Sequence, residues 1–468
     1  MSSRRARWIG LHVVVAATTV ACGSPRTGQN IALLVTGGTV VTMDAGRQVL
    51  TPGAVAIDNG SILAVGTPEV LRSRFAASET IDATDRIVLP GLINTHTHAP
   101  MVLFRGLADD VPLQEWLERY IFPAEAKTVS PEFVRVGTRL AVLEMIQSGT
   151  TLYADMYYFE EEIARVTRSA GMRGVLGETI IQFPVADAPT PKDSLARADR
   201  LLQEFRHDDL IVPAVAPHAM YTLDRDSLRA ARALATKYSA PVLIHLAETR
   251  NELKTSGERY RMSPTAYLES IGFWGPRTVA AHGVWLDDHD MSILLKHAVS
   301  ISHNPESNMK LASGIAPVPR YLAAGLTVAL GTDGAASNND LDMFEAMRQA
   351  ALLHKVATGD PGAIPASVAL SMATIDGAKA LGLADMVGSL EPGKRADMIL
   401  VAIDRARQTP LYDPVSHLVY VTHGDDVQSV IINGRVVMRD RHVLTLDEKQ
   451  VLSDARAMAE SVRNAVAN

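Results

Sequence analysis

Two histidines one residue apart, His96 and His98, close the apolar run in PGLINTHTHAPM, residues 90–101. In a strand, residues i and i+2 share a face, so the pair can aim two imidazoles at one point. That is half of a metal site. Alone it is also common surface chemistry, so its meaning depends on what other strands supply. Several further apolar runs end in groups that ligate metals or move protons. They carry Asp155 in TTLYADM, His218 in IVPAVAPHA, His245 and Glu248 in PVLIHLAE, His282 in RTVAAHGV, His303 in VSISHNP and Asp333 in LTVALGTDG. His96, His98, His245 and Asp333 make a set of three nitrogens and one oxygen. Such a set suits zinc, and Fe(II) accepts the same ligands. A divalent ion there lowers the pKa of a water toward neutrality, which is hydrolytic chemistry. Cys22 is the single cysteine, so no intrachain disulfide and no multi-thiolate site can form.

These residues converge only if their strands lie side by side. The runs just quoted, with GLINTHTH before them and RGVLGETII among them, give eight strand candidates between residues 91 and 384. Helical stretches such as Pro131–Gln147 and Ser263–Ile271 fall between them. This rhythm predicts an α/β chain with a (β/α)8 TIM barrel, whose strands deliver their C-terminal ends to one rim. Residues 23–90 and 385–446 read instead as short β runs with turns, including Gly37-Gly38 and Asn59-Gly60 as hairpin signals. The expected arrangement is one small β-sandwich built from both chain ends, with the barrel (91–384) inserted and a terminal helix over 447–468.

Composition narrows the class. The chain has 468 residues, 47% of them hydrophobic, and a net charge of −7. That is enough for one large domain and a smaller one, and it disfavours nucleic-acid binding. Residues 1–22 read as an export signal: Arg4, Arg5 and Arg7, then an apolar run from Trp8 to Val20, then Ala21-Cys22-Gly23. The segment resembles a lipoprotein signal with Cys22 as the lipidation site, although Thr19 stands where a leucine-like residue is usual. The expectation is an exported protein anchored to a membrane by lipid, or a cytoplasmic one if the signal is not used. No later apolar run approaches membrane-spanning length.

Motif order now supports a resemblance. PGLINTHTHAPM, HLAE (245–248), AHGV (281–284), HNPESNMKLASGIAP (303–317) and GTDGAASNN (331–339) resemble the amidohydrolase superfamily. They look most like its mononuclear-metal branch, the methylthioadenosine/S-adenosylhomocysteine deaminases and related chlorohydrolases. The similarity runs from residue 31 to about residue 440. It implies a hydrolytic deaminase of an aminated purine nucleoside, with His96, His98, His245 and Asp333 as metal ligands. It implies that Glu248 shuttles the proton, that His282 hydrogen-bonds the attacking water, and that Asp333 also accepts a proton. Two-metal relatives carry a carboxylated lysine at the end of the fourth strand. Here IVPAVAPHA has none, so one ion per chain is expected, and His218 reads as a substrate contact or a structural rim histidine.

The stretch MVLFRGLADDVPLQEWLERYIFPAEA extends the same resemblance and implies that Glu125 holds the ribose hydroxyls; two acceptor oxygens suit a cis-diol. Trp116, Leu103 and Phe104 could wall a base. Asp155 reads as holding a barrel loop, and Asp109-Asp110 as orienting the segment over the site. One departure stands out. The family often has an arginine for the substrate tail where this chain has Glu178, while Arg173 starts that strand, so the exact substrate stays open. Rival readings are a chlorohydrolase on the same scaffold, a cyclic amide hydrolase, and an exported ring-binding protein without catalysis. A homodimer is the family expectation.

Overall fold

The computed structural model describes residues 28–467. The export and lipidation reading of residues 1–22, Cys22 included, lies outside them. Among the described residues no helix is long and apolar enough to cross a membrane.

The eight expected strands form one parallel sheet in chain order. They are numbered here β1 (Leu92–Thr97), β2 (Thr150–Tyr157), β3 (Arg173–Ile180), β4 (Ile211–Pro217), β5 (Val242–Leu246), β6 (Thr278–His282), β7 (Ser300–His303) and β8 (Val328–Leu330). Every residue of β1, β2, β3 and β5 is buried, because helices cover the outside and side chains fill the inside. The interior packs mainly small and branched residues, among them Ile93, Ala154, Val175, Ala214 and Ala329, with Leu381 and Leu383 joining from beyond the helix Ile375–Ala380.

The ring has one seam. β8 lies beside β1 without a ladder of its own, and side chains knit the two. Thr95 Oγ1 donates to the Leu330 carbonyl at 2.8 Å, Asn94 Nδ2 donates to Thr332 Oγ1 at 2.7 Å, and Asp333 N–H donates to the His96 carbonyl at 3.0 Å. Gly331 allows this approach, since a Cβ there would sit 2.9 Å from the His96 nitrogen and 2.6 Å from Asn304 Oδ1.

Outside the barrel are two further sheets. One has four strands, all from residues 29–82. The other has seven and joins the chain ends, with Arg86–Pro90 antiparallel to Met398–Ala402. Leu33, Val55, Ile57, Val88, Met398 and Ile431 pack as one core between them. Asn59-Gly60 makes the expected hairpin, pairing Asp58 with Ser61, both turn residues at positive φ. Gly37-Gly38 does not. The strands on either side of it, Gln29–Thr36 and Thr39–Val41, belong to different sheets, so this pair carries the chain from one sheet to the other. The helix Pro68–Arg74, capped by Thr67, also interrupts what reads as β sequence. A long helix, Glu448–Ala467, ends the chain.

Candidate active site

At the C-terminal rim, β1, β5, β6 and the turn after β8 bring four imidazoles and one carboxylate together. Ligand atoms of His96, His98 and His245 lie within 4.8 Å of one another, and so do those of His96, His282 and Asp333. Asp333 Oδ1 is 3.5 Å from His96 Nε2 and 3.3 Å from His98 Nε2. His98 Nδ1 donates to the Met156 carbonyl at 2.7 Å, and His245 Nδ1 donates to the His218 carbonyl at 2.9 Å. Both bonds fix the tautomer and leave each Nε2 as a bare lone pair. Those two nitrogens face each other at 3.3 Å. Two lone pairs so close repel unless a cation lies between them. His96 Nε2 is buried and has no hydrogen-bond partner, and burial pushes the His96 imidazolium pKa down to about 4. A neutral, unpartnered imidazole is what a metal ligand must be. The donor set therefore fits a divalent ion held by His96, His98, His245 and Asp333.

The remaining groups surround that point. Glu248 Oε2 is 3.7 Å from His282 Nε2, which is 3.9 Å from Asp333 Oδ2. His282 Nδ1 donates to Asn308 Oδ1 at 2.9 Å, so Nε2 faces the two carboxylates. Burial pushes the Glu248 pKa up. Ser307 Oγ donates to Asp333 Oδ2 at 2.7 Å, and Ser313 Oγ donates to Glu248 Oε1 at 3.3 Å. Ala247, His282 and Asp333 have φ of 48°, 72° and 64°. Left-handed backbone at three non-glycine residues costs roughly 1–3 kcal/mol each and persists only where the surroundings enforce it.

One support, Glu252, lies outside the motifs that carried the resemblance. Glu252 accepts the Ala247 and Glu248 backbone N–H groups, each at 3.0 Å, and so fixes the turn that carries Glu248. Its signal was present in Thr249-x-x-Glu252, the opening pattern of the helix Arg250–Tyr260. Asn308, within the HNPESNMKLASGIAP stretch, follows β7 and meets His282 at the end of the neighbouring β6. Asp155 is a loop holder: its Oδ1 accepts Thr97 Oγ1 at 2.5 Å and the Ala99 N–H at 2.6 Å, on either side of His98.

A cavity opens from the histidines toward solvent. Trp116, Tyr157, Tyr158, Glu125 and His218 line it, whereas Phe104 packs on Phe133 with ring centres 5.0 Å apart. Its roof is a helical segment that includes a π-helical turn, Trp116–Ile121, followed by Phe122–Thr128. Pro123 has no N–H to give, and the wide turn before it accommodates that loss. Asp109 anchors the approach to this segment through Lys310 Nζ at 2.6 Å. On the helix Phe122–Thr128, Glu125 Oε1 accepts the Tyr157 hydroxyl at 2.7 Å, and burial pushes the Glu125 pKa up to about 7.

Glu178 corrects an expectation. It does not face the cavity. Along β3, Gly177 points to the barrel interior against Ala216, and Thr179 lines the cavity. Glu178 therefore points outward, where Arg197 Nε bonds its Oε1 at 2.9 Å. The carboxylate is no obstacle to an anionic substrate.

Three comparisons bear on this geometry. Residues 87–437 match the model of the amidohydrolase family. A 5-methylthioadenosine/S-adenosylhomocysteine deaminase of Syntrophobacter fumaroxidans is 48% identical over 92% of this chain and 98% of its own. A 5′-deoxyadenosine deaminase of Methanosarcina acetivorans is 45% identical over 90% and 96%. Among solved structures, an adenosine deaminase from Xanthomonas campestris with bound zinc superposes with a TM-score of 0.92 and 39% identity, covering 93% of this chain and 100% of that one.

Proposed function

We propose that this chain, which belongs to the amidohydrolase family, hydrolyses the exocyclic amine of purine nucleosides such as adenosine and methylthioadenosine, releasing ammonia. The observation that carries the reading is the pair of bare histidine nitrogens facing each other at 3.3 Å, with Glu248 and His282 beside them. When bound, a divalent ion supplies the Lewis acidity that makes a water nucleophilic near neutral pH. Zinc suits three nitrogens and one oxygen and is the ion of the Xanthomonas structure; Fe(II) would use the same ligands. One ion per chain is the reading, with no lysine in β4.

The chain's own groups then divide the work. His282, oriented by Asn308, holds the attacking water through Nε2. Glu248 takes a proton from that water, gives it to the ring nitrogen beside the reacting carbon, and then protonates the leaving amine. Asp333 takes the water's second proton and returns it, by way of Glu248, to the leaving amine, so the two protons end on the ring nitrogen and on ammonia. The ring lies between Trp116 and the histidines, in contact with His218. Atoms balance: water adds, ammonia leaves, and a ring carbonyl remains. The test is ammonia release and the accompanying ultraviolet shift when metal-loaded protein meets adenosine. Chelation should abolish both and empty the protein of metal, and zinc should restore both. A metal-loaded protein that releases no ammonia from any purine nucleoside would sink the reading.

Glu125 lines the same cavity as the histidines and would hold the ribose diol. Its carboxylate accepts two hydroxyls only when ionised, and burial holds its pKa at about 7. The acceptor form is lost as pH falls through that value. The KM for adenosine should therefore fall as pH rises through about 7, and Glu125→Gln should flatten that dependence and raise KM roughly tenfold. An unchanged KM in the variant would remove Glu125 from ribose binding.

A further inference from the structure

Beyond Glu125 lies a second cavity, open to solvent at its rim. It shares Phe122, Glu125 and Tyr158 with the first, so the two adjoin at the ribose position. Its other walls come from Ala126 and the loop after β3, chiefly Phe183, Pro184 and Val185. The Phe122 and Phe183 rings meet edge to face, 5.2 Å apart. Among the described residues, Glu125, which already accepts the Tyr157 hydroxyl, is the one acidic or basic side chain lining it.

Among the described residues, neither cavity is lined by a lysine or an arginine. Arg197 reaches the same loop but is neutralised there. Its Nε is 2.9 Å from Glu178 and 3.1 Å from Asp187, and its NH2 is 2.6 Å from Glu161. Asp187 also accepts the Phe159 N–H at 2.6 Å. Glu178 thus helps hold in place the loop that presents an apolar wall, and it removes a guanidinium from that wall in doing so.

We propose that this second cavity receives the 5′ substituent of the nucleoside and selects a small uncharged group, such as hydrogen or alkylthio, against one ending in a zwitterionic amino acid. The inference rests on the nucleoside-deaminase reading. A carboxylate brought into this cavity, whose rim at Ala126, Phe183, Pro184 and Ala186 stays exposed, meets no cation and lies next to Glu125, which repels it. An alkylthio group instead buries apolar surface against Phe122, Tyr158 and Phe183.

The experiment compares kcat/KM of the zinc-loaded protein for adenosine, 5′-deoxyadenosine, methylthioadenosine and S-adenosylhomocysteine. Methylthioadenosine should exceed S-adenosylhomocysteine by about tenfold or more. Ala186→Arg, at an exposed position on the rim, should raise the S-adenosylhomocysteine to methylthioadenosine ratio about fivefold or more. Phe183→Ala should lower the methylthioadenosine to adenosine ratio. Deamination of both thioethers at rates within about tenfold of each other overturns the inference and leaves the deaminase reading standing. So does an Ala186→Arg ratio equal to wild type. No deamination of any of the four overturns both.

Discussion

Glu248→Gln is expected to lower kcat by roughly 10²- to 10⁴-fold while the protein still holds about one metal ion per chain. The amide keeps the size of the carboxylate and can still accept the Ser313 hydroxyl. It cannot carry a proton from water to the ring. None of the groups assigned to the metal is altered, so metal content, measured on the purified variant, should match wild type. The Ala247 and Glu248 N–H groups remain on Glu252, so the turn should hold its shape. KM should change far less than kcat, because the loss falls on a group that acts in the transition state. A variant with near wild-type kcat would show that the proton travels by another route. A variant that loses its metal would show instead that Glu248 helps to bind it.

Arg173→Met should produce the largest loss of stability. Arg173 sits at the opposite end of β3 from the site and is fully buried. Its Nε and NH2 bond the two oxygens of Asp397 at 2.8 and 3.2 Å, and its NH1 bonds the Asp209 carbonyl at 2.7 Å. Asp397 also accepts the Asn433 N–H at 2.7 Å. The pair therefore joins the barrel to the sheet made by the chain ends. Methionine fills much of the volume but leaves the Asp397 charge buried without its cation, which costs about 3–5 kcal/mol. The denaturant midpoint should fall accordingly. Adding Asp397→Asn should recover part of the loss, because it removes the stranded charge. If Arg173→Met unfolds at the wild-type midpoint, the pair does not hold the two units together.

The barrel was legible because its strands are covered on both faces, so each reads as a nearly unbroken apolar run. Polar residues at the ends of those runs then stand out, which is how His245, His282 and Asp333 could be collected. What escaped depends on direction or on distant partners. Glu178 was placed at the correct position of β3 but on the wrong face. Only the alternation of Gly177, Glu178 and Thr179, anchored by a known interior residue, settles which side chain reaches the cavity. Gly37-Gly38 has the composition of a hairpin, yet its flanking strands find partners in separate sheets. The π-helical turn at Trp116–Ile121 is set by a hydrogen bond five residues back, for which no residue pattern is specific. Asn308 and Ser307 lay within the quoted HNPESNMKLASGIAP stretch, but their partners His282 and Asp333 sit on other strands and could not be read from it.

The seam between β1 and β8 gives the protein an order of assembly. Asn94 and Thr332, which bond across it, are 238 residues apart in the chain. A nascent chain therefore displays His96 and His98 long before the ribosome delivers Asp333, and closing so long a loop is among the slowest kinds of contact a fold makes. An ion that binds only after closure adds its free energy to the closed ring alone, about 2.7 kcal/mol when free metal exceeds its dissociation constant a hundredfold. Metal supply during synthesis would then set how much of the chain matures, as well as how much of it is active.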